Sequence, residues 1–161
     1  MSRGDIAKEY FTEGYNCSQS VAMAYADIIG INKDTVAKMT SGLGGGMGRM
    51  REVCGAFSGV TFVLSCLYGY DDAEDFASKS ELYKRVQQLG SRFKEDNGSI
   101  VCRELLSLQT KGADNPTPEK RTPEYYKKRP CPELVRLGAD LCREFIAAHP
   151  EGRHGIYREE D

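Results

Sequence analysis

The stretch Leu43 to Val60, LGGGMGRMREVCGAFSGV, places four glycines within five positions and then, six residues after the last of them, a cysteine that opens Cys-Gly-Ala-x-x-Gly. Glycine enters left-handed backbone at no steric cost, so this run interrupts regular structure rather than continuing it. The phosphate-binding patterns are not met: no Gly-Lys-Ser/Thr ending follows, no frame reads Gly-x-Gly-x-x-Gly, and no strand precedes the run. No nucleotide is therefore expected. Two readings remain. Gly44, Gly45 and Gly46, with Arg49 and Arg51, form a nest for an anion or for the charge of a thiolate-bound cluster, or the run is a tight connection that only glycine permits.

The rest of the chain reads as helix. Ser2 caps a first helix carrying Ile6, Tyr10 and Phe11 and ending at Gly14. Asn16, with Gln19 three residues on, makes a capping box for a second that Gly30 closes, and Asp34 starts a short third. Glu52 to Tyr68 reads as a buried, mostly apolar helix. Asp71 or Asp72 opens a long amphipathic one with Leu82, Val86, Leu89 and Phe93 on one face. Ser99 caps a helix through Leu108; QTKGADNPTPEKRTP reads as a polar connection; Pro132 begins a last helix to Ala148. The expected fold is an all-α, compact single-domain helical bundle with the glycine-rich loop before its central buried helix. The expected domain is residues 1–148, with 149–161 a polar, mobile tail.

Composition excludes several classes. With 161 residues, 40% hydrophobic and 29% charged, the chain suits one globular domain with a core. The net charge of -2 and the single basic cluster, Lys127-Lys128-Arg129, fit a solvated helix end better than a nucleic-acid site. No run approaches the ~18 apolar residues of a membrane span, so neither membrane insertion nor nucleic acid is expected, and the expected compartment is the cytoplasm.

In a reducing compartment the six cysteines point to metal or redox chemistry more than to a disulfide framework, with inert core packing as the alternative for each. Cys17, Cys54, Cys102 and Cys131 all fall at predicted helix starts, where unpaired N–H groups and the helix dipole favour thiolate. Cys66 and Cys142 lie about 18 and 16 Å further along the helices that Cys54 and Cys131 begin, at ~1.5 Å per residue, and read as packing residues. Two faces follow Cys54. Ser58, Thr61 and Ser65 share its side and could hydrogen-bond a sulfur or a cluster, or simply bond back to carbonyls one turn earlier. Gly55 and Gly59 form a small-x-x-x-small face that lets another helix, and with it another cysteine, come close. Cys-x-x-Cys pairs and Cys-x-x-Cys-His are absent, so no covalent haem is expected. His149 and His154 both fall in the tail.

The segment CGAFSG, with its glycine-rich loop, and the single cysteines in GYNCSQSV, SIVCRELL and RPCPELV resemble the redox-active protein family named for the C_GCAxxG_C_C pattern. The resemblance runs from about Tyr15 to Cys142. It carries the family thiols onto Cys17, Cys54, Cys102 and Cys131. It implies a helical fold, a redox role, an unidentified redox partner, a possible association with a transporter system, and similarity to part of the split-Soret cytochromes.

The leading expectation is an iron-sulfur or other thiolate-bound metal centre on Cys17, Cys54, Cys102 and Cys131, serving electron transfer or sensing, with Gly44, Gly45, Gly46, Arg49 and Ser58 around it. The alternatives are a thiol-disulfide oxidoreductase in which Cys54 attacks and another of the four resolves, and a non-catalytic binding or structural helical domain.

Overall fold

The computed structural model describes residues 1–152, and among these the regular elements are helices, with no strand beyond one isolated bridge. Nine α-helices are numbered here in chain order: α1 Arg3–Thr12, α2 Cys17–Met23, α3 Ala26–Ile29, α4 Lys33–Thr40, α5 Gly55–Tyr68, α6 Phe76–Asn97, α7 Cys102–Leu105, α8 Pro123–Lys128 and α9 Cys131–Ala148. Ser2 and Asn16 close the capping boxes their sequences encode, with Asp5 and Gln19 as the reciprocal partners.

Helix α5 is the centre. Ala56, Val60, Val63 and Leu64 are fully buried along it, against α2 on one side and α9 and α6 on others, while α1 runs along α9. The approach of α2 uses the two glycines of α5: a Cβ on Gly59 would lie 2.8 Å from the Ser18 carbonyl oxygen and 2.9 Å from Val21 Cβ. A Cβ on Gly55 would lie 3.1 Å from Cys17 Cβ. The small face thus brings a second cysteine beside Cys54.

Several boundaries differ from the sequence reading. The second predicted helix breaks at Tyr25, which is fully buried and donates its hydroxyl hydrogen bond to the Ala139 carbonyl in α9; Gly30, left-handed at φ 71°, closes the short α3. The central helix begins at Gly55, not Glu52. Residues 52–54 pair instead with 100–102 around an isolated antiparallel bridge, Val53 to Val101. The Cys54 amide donates to the Ile100 carbonyl (2.7 Å) and the Cys102 amide to that of Glu52 (2.6 Å). The long helix starts after Asp75, which caps it. On its inner face Leu82, Leu89 and Phe93 are buried and Val86 half-buried. The helix predicted to reach Leu108 ends at Leu105, because Ser107 turns left-handed at φ 54°. Part of the predicted tail is ordered: Tyr68 donates to the His149 carbonyl, His149 stacks on Phe145, and Gly152 is buried. Residues 153–161, which include His154, lie outside the described residues.

Candidate functional site

The glycine run forms a left-handed turn. Gly45, Gly46, Met47, Gly48 and Arg49 have φ of 68, 69, 67, 56 and 64°, and Arg51 follows at 61°. Hydrogen bonds spanning six residues hold it: Gly48 N–H to Gly42, Arg51 N–H to Gly45, and Glu52 N–H to Gly46 carbonyls, at 2.9, 3.2 and 2.9 Å. Each non-glycine residue in this region costs on the order of 1–2 kcal/mol, so Met47, Arg49 and Arg51 stay there only because their surroundings hold them. Gly46 shows why the backbone must be bare. A Cβ there would lie 2.7 Å from both Cys102 Cβ and Arg51 Cα.

Four elements deliver the thiols. Cys17, Cys102 and Cys131 are the first residues of α2, α7 and α9, and Cys54 is the N-cap of α5. The Val53–Val101 bridge places Cys54 and Cys102 on the same side, since side chains alternate along extended chain. Val53 accordingly points outward, at 38% exposed, and both cysteines are buried. All four line one cavity of about 440 Å³ together with Gly44, Gly45, Gly46, Arg49 and Arg51. Cys66 and Cys142 are outside it; Cys142 is fully buried and faces Tyr25. Ser58 is also outside it, and Thr61 and Ser65 bond back to the carbonyls of Phe57 and Thr61 (3.1 and 2.9 Å).

The expectation that helix starts lower all four thiol pKa values fails for three of them, and the one that is lowered, Cys131, is lowered by its neighbours. The hydrogen bond from Cys17 brings Cys131 down to about 7 against the cost of burial, with help from Arg129, Arg121 and Arg51. The same bond, then burial, pushes Cys17 well up, followed by the nearby Cys131, Cys54 and Cys102 sulfurs. Burial pushes Cys54 up to about 12 although the Ala56 and Phe57 amides oppose it. Burial also raises Cys102, with Arg51 opposing. Desolvation here outweighs the partial charge of a helix end, and α2 and α7 are only seven and four residues long. A role for Cys54 as the ionised nucleophile is therefore disfavoured relative to Cys131.

Guanidinium groups surround the sulfurs. Arg51, nearly buried, donates to Cys102 Sγ at 3.8 Å and to Asp114 at 3.0 and 3.2 Å. Arg121 lies over the Phe11 and Tyr125 rings and donates to the Phe11 and Tyr15 carbonyls (3.0 and 3.1 Å). Arg129, read in the sequence as part of a solvated helix end, lines the cavity and pairs with Glu119. Arg121, Arg129, Asp114 and Glu119 carried no local signal, because their roles come from the fold of a stretch that reads as a polar connection. Among the described residues, no group of three or more His, Cys, Asp or Glu side chains could hold a metal ion as placed. None of the described helices is long and apolar enough to cross a membrane.

The fold and the site together define a class of helical protein in which four single cysteines from separate segments line one arginine-bearing cavity. The family model described as "putative redox-active protein (C_GCAxxG_C_C)" matches residues 15–145, and the chain belongs to that family. No curated protein and no solved structure matches it.

Proposed function

We propose that the chain is a small electron-transfer or redox-sensing protein whose Cys17, Cys54, Cys102 and Cys131 thiolates hold an iron-sulfur centre. The observation that carries this reading is the lining of one cavity by all four thiols, each on a different segment. Four cysteine sulfurs are a donor set that such clusters take. Thiolate donors suit iron-sulfur clusters and zinc alike, and the iron and sulfide content distinguishes them. When bound, the group supplies one-electron chemistry. The chain's own residues prepare for it: the left-handed turn keeps Cβ atoms away from Cys102, Arg51 donates a hydrogen bond to sulfur, and Arg121 and Arg129 offset thiolate charge. Burial of Cys54, Cys102 and Cys131 excludes water.

One observation favours a second reading. Cys17 and Cys131 line the same cavity and act on one another, with Cys131 the more acidic. As a dithiol pair, Cys131 thiolate would attack an oxidised substrate disulfide and Cys17 would resolve the mixed disulfide. The pair loses two electrons and two protons as the substrate disulfide becomes two thiols. Purification without oxygen followed by absorption, iron and sulfide analysis separates the two. The cluster reading expects iron and sulfide, lost when any of the four cysteines is replaced by serine. Protein that stays colourless and iron-free after reconstitution overturns it, and a Cys17–Cys131 disulfide formed on mild oxidation then selects the dithiol.

A further inference from the structure

Residues 107–122 cross from α7 to α8 with no helix or strand of their own. Connections of this length within a compact domain are uncommon unless they serve a function. Pro116, Pro118 and Glu119 from this stretch form one wall of the cysteine cavity. Its two ends are tied by buried or half-buried groups. Arg103 donates to the Thr110 (2.8 Å) and Gly112 carbonyls, and Arg121 is fixed to the Phe11 and Tyr15 carbonyls beneath aromatic rings.

The middle is held differently. Residues 111–120 are all exposed, so no apolar burial fastens them. Asp114 pairs with Arg51 at 3.0 Å and Arg49 at 3.4 Å, its amide bonds the Arg49 carbonyl at 2.9 Å, and Arg49 reaches the Asn115 carbonyl at 2.5 Å. Glu119 pairs with Arg129. Asp114 and Glu119 remain 38% and 47% exposed while Arg51, Arg49 and Arg129 are 7%, 18% and 16% exposed, so each pair joins a sheltered guanidinium to a carboxylate that water and salt still reach. Tied ends and a middle held by charge and a few polar contacts, with no apolar packing, describe a flap with hinges, not a rigid wall.

We propose that residues 107–122 are a strap that gates the cysteine cavity, held shut by Asp114 on Arg49 and Arg51 and by Glu119 on Arg129. This rests on reading the cavity as the redox site. Two of the arginines that fasten the strap, Arg51 and Arg129, also act on Cys102 and Cys131, so opening admits a reaction partner and frees their charge toward the cavity in one movement. The ligand class that this favours is an anionic one, able to replace the two carboxylates on the guanidinium groups.

The test uses full-length, metal-free protein, so a failure of the centre to assemble leaves this result readable. Alkylation of each cysteine is followed by peptide mass spectrometry with a small reagent, iodoacetamide, and a bulky one, a maleimide bearing a polyethylene glycol chain. In the double variant D114N/E119Q, the bulky-to-small rate ratio at Cys102 and Cys131 should rise about fivefold, the loss expected for a few partly exposed ion pairs, with Cys66 unchanged. Wild-type protein in about 1 M salt, where the screening length falls to about 3 Å, should move in the same direction without any substitution. The proposal is overturned if the ratio is unchanged in both cases, or if Cys66 and Cys142 accelerate equally, which would indicate general loosening.

Discussion

The Cys17 and Cys131 thiols, at the first residues of α2 and α9, act on one another unequally, raising Cys17 and lowering Cys131. In metal-free protein, Cys131 should be the fastest cysteine at neutral pH, with an alkylation rate that titrates near about 7. Cys17→Ala removes that neighbour, and the Cys131 titration should move upward. An unchanged profile in that variant would show that Arg129 and Arg121 alone hold the thiolate.

The same shifts set a stability profile. A depressed thiol adds stability above the ordinary cysteine value of about 8.5, and that contribution is lost as pH falls through about 7. Cys17, Cys54 and Cys102 are raised, so their contribution is full below about 8.5 and fades as pH climbs above it. With Cys66 and Cys142 also raised by burial, five raised thiols against one depressed thiol should make metal-free protein less stable in alkali. Thermal melting between pH 7 and 10 measures this, and a melting point that rises across that interval would refute the assignment.

Gly46 and Gly98 separate backbone freedom from close approach. Both are left-handed, at φ 69 and 89°, but a Cβ on Gly98 meets nothing within 4 Å while one on Gly46 meets Arg51 and Cys102 at 2.7 Å. Gly98→Ala should cost about 1–2 kcal/mol from its dihedral alone. Gly46→Ala should cost that plus a further 1–3 kcal/mol for overpacking, and should disturb the site. Urea unfolding of the two variants checks the difference; equal losses would mean that the turn gives way.

Gly59→Ala sets helix propensity against packing. The substitution gains about 1 kcal/mol for a residue inside a helix. Against this, its Cβ would lie 2.8 Å from the Ser18 carbonyl oxygen, a backbone atom that cannot swing aside. Overlap of this kind costs about 1–3 kcal/mol, so net destabilisation is expected, read by denaturant titration.

Cys142→Ala should lose about 1 kcal/mol, as removal of a small fully buried group does, while retaining cavity thiol chemistry. Cys66→Ala, at a half-buried position, should lose less. Loss of iron binding or of Cys131 reactivity in either variant would place these residues in the site after all.

Much of the scaffold is legible in local chemistry. Ser2 and Asn16 announce their helices through capping boxes that need only a three-residue spacing, and Gly55 with Gly59 announces a close helix contact because the absence of two side chains is itself a local property. Helix starts likewise mark Cys17 through the Asn16 cap and Cys131 through Pro132 in the first turn, whereas the helices at Cys54 and Cys102 begin without a side-chain cap, and Ser99 is not the N-cap the sequence suggests. Tertiary structure alone decided the rest. The start of α5 moved from Glu52 to Gly55 because residues 52–54 exchange hydrogen bonds with residues 100–102, almost 50 positions away. The acidity of the thiols was set by the meeting of Cys17 with Cys131, by desolvation and by Arg129 and Arg121, groups that only the folded chain gathers at the cavity. Caps, periodicity and small-residue faces act within a few residues and can be read from order alone; burial and charge at a site sum over atoms that only the folded chain brings together.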